Sequence, residues 1–98
     1  MNVACYILFS KKLNKFYVGA THDSVEQRLE KHNEHVYGNQ HYTALANDWE
    51  LFLSLEAEDY SHAIRMERKI KSMKSKIFIK NLKQYPELRK KLINQTST

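Results

Sequence analysis

Apolar and β-branched residues crowd the start of the chain. Val3 to Phe9 forms one such run, and after Ser10-Lys11-Lys12-Leu13-Asn14 a second extends from Lys15 to Ala20. Two strand-like runs about a short polar turn predict a β-hairpin. Paired antiparallel, the hairpin brings Tyr6 and Tyr17 close on adjacent strands, while the register that decides whether they share a face stays open. Gly19, one of two glycines, marks a close backbone approach or an unusual dihedral. Asp23 with Glu26 three residues later has the form of a capping box and predicts a helix to about His35. Its apolar stripe is Val25, Leu29 and Val36. His32 lies on the same face and Arg28 one turn before it, so both side chains can address one site.

Tyr37 to Asp48 has no period and reads as a long loop, and Trp49 to Leu55 alternates unevenly but is apolar enough for a third strand. From Ser61, Ala63, Met66, Ile70, Met73 and Ile77 recur every three or four residues and predict a long helix, with a break near Ser75 to Lys76. Ile77, Phe78, Ile79 and Leu82 suggest a short helix after the break. Pro86 suits the first position of a last helix, with Leu88, Leu92 and Ile93 facing inward and Asn94 to Thr98 as a polar tail.

Ninety-eight residues, 42% hydrophobic and 28% charged, fit a single domain over residues 1–98, its core about 3–82 and its C-terminal helix about 86–94. The apolar runs are a few residues long, far from the roughly 20 a membrane span needs. No export signal is evident at the N-terminus, so a cytoplasmic location is expected. Cys5 is alone, which excludes an internal disulfide, and together with His32 and His35 it matches no zinc-ligand spacing.

Charge is unevenly distributed. Residues 1–60 carry five Lys/Arg against nine Asp/Glu, a net of −4, whereas residues 61–98 carry eleven against two, a net of +9. A basic half of this kind attracts polyanions, nucleic acid foremost. Arg65, Arg68, Lys69, Lys71, Lys74 and Lys76 are the candidate contacts, against the alternative of a solvated helical face.

Tyr6, Tyr17, Arg28, His32 and Glu67 together supply the group types that phosphodiester cleavage needs. One carboxylate with waters can hold Mg²⁺ on a phosphate oxygen. Arginine can neutralise charge building on phosphorus, and a tyrosine whose phenol is lowered from about 10 can take a proton from the attacking water. Taken singly, each residue also has an ordinary structural role, such as a Glu67–Lys71 pair at i,i+4.

The order of these residues resembles the GIY-YIG nuclease domain. Ala4-Cys5-Tyr6 stands for the first motif and Tyr17-Val18-Gly19 for the second, followed by Arg28 and His32 on one helix and Glu67 on a later one. The resemblance runs from Val3 to about Leu82 and is nearest to small stand-alone members similar to the N-terminal nuclease domain of the excinuclease. It implies an α+β fold with a three-stranded antiparallel sheet flanked by helices. It further implies a DNA endonuclease using one divalent cation, Mg²⁺ or Mn²⁺, with a place in DNA repair or recombination. Glu67 would be the metal ligand, Arg28 would stabilise the transition state, and Tyr6, Tyr17 and His32 would bound the water and phosphate.

Ala4-Cys5 replaces the usual Gly-Ile, and Ala20 stands where excinuclease-type members have lysine, but all five polar positions are filled. So short a chain has little room for a separate DNA-reading domain, so structure-directed or weakly specific cutting, a homodimer, or a partner protein supplying specificity is expected. The alternatives are a non-catalytic nucleic-acid-binding or adaptor protein on the same fold, and an RNA-processing nuclease.

Overall fold

The computed structural model describes residues 3–22, 24–34 and 46–97. Its elements follow the order β1 (Ala4–Ser10), β2 (Lys15–Thr21), α1 (Val25–Asn33), β3 (Glu50–Glu56), α2 (Tyr60–Met73), α3 (Lys76–Gln84) and α4 (Pro86–Thr96). The three strands form one antiparallel sheet in the order β2-β1-β3, so the fold is α+β as expected. β1 is the central strand and is buried on both faces, which is why it reads as a near-continuous apolar run.

The two faces are covered by different helices. Cys5, Ile7, Val18 and Leu55 pack with Met66 and Ile70 of α2, Ile79 and Leu82 of α3 and Leu92 of α4. Ala4, Tyr6 and Leu8 pack on the other face with Val25 of α1 and with Trp49, and Tyr17 and Leu29 lie against them. β2 is left as a sheet edge, and α2 packs closely along it.

Hairpin register settles the relation between the tyrosines. Tyr6 pairs with Gly19 and Leu8 with Tyr17, so Tyr6 and Tyr17 are diagonal neighbours on the α1 face. The turn closes through Asn14, which takes the left-handed conformation (φ 52) that asparagine tolerates. Asp48 braces this turn, accepting from the Ser10 hydroxyl at 2.6 Å and from the Lys12 N–H at 3.0 Å. The Ser10 hydroxyl, followed by the Lys12 N–H, holds the Asp48 carboxyl below the usual carboxylate range.

Several boundaries differ from expectation. α1 is capped by Ser24, whose hydroxyl accepts from the Gln27 N–H, and Asp23 lies outside the described residues, as do His35 and Val36. The 37–48 loop is described only from residue 46. The uneven alternation of β3 comes from a bulge: Ile7 pairs with Leu53 and Leu8 with Leu51, so Phe52 is the extra residue and Leu51 turns to the opposite face.

α2 begins at Tyr60 with Asp59 as its cap and ends at Met73, where Lys74 adopts a left-handed conformation (φ 48, ψ 40). The helical period therefore stops before Ile77. Met73 is 43% and Ile77 72% exposed, and neither joins the buried stripe of Ala63, Met66 and Ile70. Ser75 caps α3 through the Phe78 N–H. Pro86 opens α4 as expected, but the helix runs on through the expected polar tail to Thr96.

A buried histidine explains that extension. The Nδ1 atom of His62 accepts from the Glu58 N–H, so its Nε2–H donates to the Ile93 carbonyl and the Thr96 hydroxyl, both at 3.0 Å. The Nε–H of Arg65 donates to the Thr96 carbonyl at 2.6 Å. Together they fasten the last turn of α4 to α2.

Candidate active site

Three of the five candidate residues form one contact cluster. The Tyr6 hydroxyl and His32 Nε2 share a 2.9 Å hydrogen bond, with Tyr6 0% and His32 1% exposed. The half-buried Tyr17 ring lies 4.8 Å from the His32 ring and 6.3 Å from that of Tyr6, centroid to centroid. Trp49 closes the cluster edge-on to Tyr17.

The position of the cluster follows from local structure. Tyr6 can lie flat across β2 because its partner there is Gly19, at which a β-carbon would come within 2.6 Å of the phenolic oxygen. His32 is aimed from the last turn of α1, and one residue on, the Asn33 amide accepts from the Trp49 N–H (2.8 Å) and donates to its carbonyl (3.0 Å). Arg28 stands one turn before His32 on α1 and is half-buried.

Glu67 approaches from the opposite face of the sheet. The Lys71 ammonium donates to Glu67 Oε2 at 2.8 Å and lies 5.9 Å from the centroid of the Tyr17 ring. Lys71 thus reaches round the β2 edge and joins the carboxylate to the aromatic cluster. Beneath the pair, burial pushes the Cys5 thiol up to about 12, the Glu67 charge adds to the rise and Lys71 opposes it.

The six basic candidates do not share one surface. Lys71, Lys74 and Lys76 line a groove beside Tyr17, and Lys76 also donates to the Asn14 carbonyl. Lys69 borders a separate groove with Met73 and Leu88, Arg65 is engaged with α4, and Arg68 is exposed on α2. Lys15, not singled out from the sequence, joins the first groove from β2.

Among the described residues no group of three or more His, Cys, Asp or Glu side chains could enclose a metal. Glu67 fits a different kind of site. Its carboxylate is partly exposed, and among the described residues only Oε2 is engaged, by an exposed lysine that can move. Mg²⁺ keeps most of its waters and takes one or two carboxylates with substrate phosphate, so this donor suits it.

The family model of the GIY-YIG catalytic domain matches residues 2–83. The chain therefore belongs to the GIY-YIG catalytic domain family, whose members are nucleases, and a nuclease-type function follows. The chain matches no curated protein and no solved structure at a significant level. No helix among the described residues is long and apolar enough to cross a membrane.

Proposed function

We propose that this protein is a divalent-metal-dependent endonuclease that hydrolyses phosphodiester bonds in DNA, with Mg²⁺ or Mn²⁺ held by Glu67. The observation that carries this reading is the Tyr6–His32–Tyr17 cluster joined through Lys71 to Glu67 around the β2 edge. Bound at Glu67, the cation would supply Lewis-acid stabilisation of charge on a phosphate oxygen.

The chain's own residues divide the remaining work. Tyr17 is the less buried of the two phenols and is the one placed to meet the attacking water, acting as general base. Tyr6 and His32 are sealed from solvent, so they hold the Tyr17 ring in place rather than touch substrate. Arg28 neutralises the charge that develops on the phosphorane. Lys71, whose ion pair with Glu67 a bound cation would displace, would turn to the substrate phosphate.

The basic C-terminal half supplies backbone attraction without base reading, consistent with structure-directed or weakly sequence-specific cutting. Repair or recombination is the setting in which such cutting is used. The test is to incubate end-labelled DNA and RNA strands with the protein in Mg²⁺, in Mn²⁺ and in EDTA. Metal-dependent cleavage of DNA supports the reading. Cleavage of RNA alone assigns an RNA-processing nuclease, and salt-sensitive binding without product assigns a non-catalytic binding protein.

A further inference from the structure

α4 lies beyond the residues that the family model matches, and with α2 and α3 it frames a second groove. Lys69 and Met73, one turn apart, line it from α2, Leu88 and Lys91 from α4 and Phe78 from α3. Leu92 at its base is a core residue, but Met73 is exposed and Phe78 and Leu88 are only half-buried. The cavity measures about 240 Å³, less than the roughly 300–1,000 Å³ of sites that enclose small organic ligands, and it suits one or two anchoring side chains of a larger partner.

The charge around it has one sign. Lys69 and Lys91 are exposed, and among the described residues neither ammonium has a hydrogen bond or ion pair. No carboxylate lines the groove among the described residues, and residues 60–96 carry eleven Lys/Arg against Glu67 and Glu87 alone. Open apolar side chains between unpaired cations on two helices are the complement of an amphipathic helix whose apolar row is flanked by acids. Two other occupants fit less well. A nucleic-acid strand laid here would run along the side of α2 turned away from the catalytic residues, because Lys69 stands two residues, about 200° of helix, from Glu67. A second copy of this chain could offer α1 with its Glu26 and Glu30, but the apolar residues of α1, Val25 and Leu29, are already packed on the sheet.

We propose that the α2–α3–α4 groove docks an acidic amphipathic helix of another protein, with Met73, Phe78 and Leu88 receiving its apolar row and Lys69 and Lys91 pairing with its carboxylates. The site does not depend on the nuclease reading, and a helix seated there leaves the Glu67–Lys71 side of α2 uncovered.

Peptide display on the full chain tests this. The probe is a library of four-turn helical peptides with Leu, Ile, Met or Phe at i, i+3, i+4 and i+7 and with Glu, Lys, Gln or Ser randomised elsewhere. Selected peptides should be rich in Glu, and one of them, labelled with fluorescein, should bind the wild type in an anisotropy titration and bind more weakly as salt rises. Met73→Glu should weaken that binding about tenfold or more, as loss of an apolar anchor does, and Lys69→Glu combined with Lys91→Glu should do so by a similar factor. Lys80→Glu makes the same charge change outside this groove and should leave affinity within about twofold. Circular dichroism melts check that each variant folds, and the Met73 and double variants give separate readings should one of them not. Failure to enrich any peptide, enrichment of Lys-rich ones, or equal binding by the wild type and the folded variants overturns the proposal. So does a wild-type dimer in sedimentation that Met73→Glu dissolves, which gives the groove to a second copy. Loss of DNA binding in the double variant with no acidic peptide selected also overturns it and gives the groove to nucleic acid.

Discussion

The Tyr6 hydroxyl lies over Gly19 of the neighbouring strand, where a β-carbon would stand 2.6 Å from it. Gly19→Ala must therefore push the phenol off the sheet and away from His32 Nε2. The expected cost is about 1–3 kcal/mol of stability, as for other overpacked sites, measured by chemical denaturation. Activity should fall by more than the unfolded fraction explains, because the displaced ring also crowds Tyr17.

Tyr6→Phe separates positioning from packing. The ring remains, and His32 Nε2 loses its 2.9 Å partner in a site closed to water, at an expected cost of about 1–3 kcal/mol. If the buried pair acts through Tyr17, kcat should fall while KM for DNA stays near its wild-type value. A rise in KM alone would place Tyr6 in substrate binding instead.

Cys5 gives a pH prediction. Its thiol is raised from 9.0 to about 12 in the folded chain, so above pH 9 the unfolded state loses a proton that the native state retains. Its contribution to stability is full below pH 9 and is lost as pH rises towards 12, at about 1.4 kcal/mol per unit. Unfolding free energies of the wild type and Cys5→Ala, offset by a constant cavity cost at pH 8, should shift against the wild type by that slope between pH 9 and 11. Native Cys5 should also resist alkylation at pH 8.

Asn33 holds Trp49 by both backbone groups, so Asn33→Ala removes two hydrogen bonds beside the cluster. A loss of about 1–3 kcal/mol is expected in thermal or chemical unfolding. The near-ultraviolet signal of Trp49 should change with it.

Much of the fold could be read from residue pattern because its strongest constraints are local. The hairpin, the start of α4 at Pro86 and the α2 stripe as far as Ile70 follow from turn chemistry, proline geometry and helical period. What escaped depends on pairing or on a single dihedral. The bulge at Phe52 is visible only against β1, and the left-handed Lys74 that ends α2 early is not a residue type that announces a stop. The α4 tail looked polar and unanchored because its partners, His62 and Arg65, lie some 30 residues earlier. Within the candidate site, the i,i+4 spacing put Arg28 and His32 on one helix face, and the Glu67–Lys71 pair was equally open to inspection. That Lys71 reaches Tyr17 round a sheet edge, and that Lys15 joins the same groove, required the fold.

Glu67→Gln is the most direct test of the metal-dependent nuclease reading. The Glu67–Lys71 pair is an exposed i,i+4 contact worth about 0.3–0.5 kcal/mol, so the variant should melt within about 1–4 °C of wild type. Supercoiled plasmid nicking in Mg²⁺ should be abolished in Glu67→Gln and in wild type with EDTA, while DNA binding in EDTA is retained. Nicking by the folded variant at the wild-type rate would contradict the assignment of Glu67 as metal ligand and, with it, the proposed mechanism.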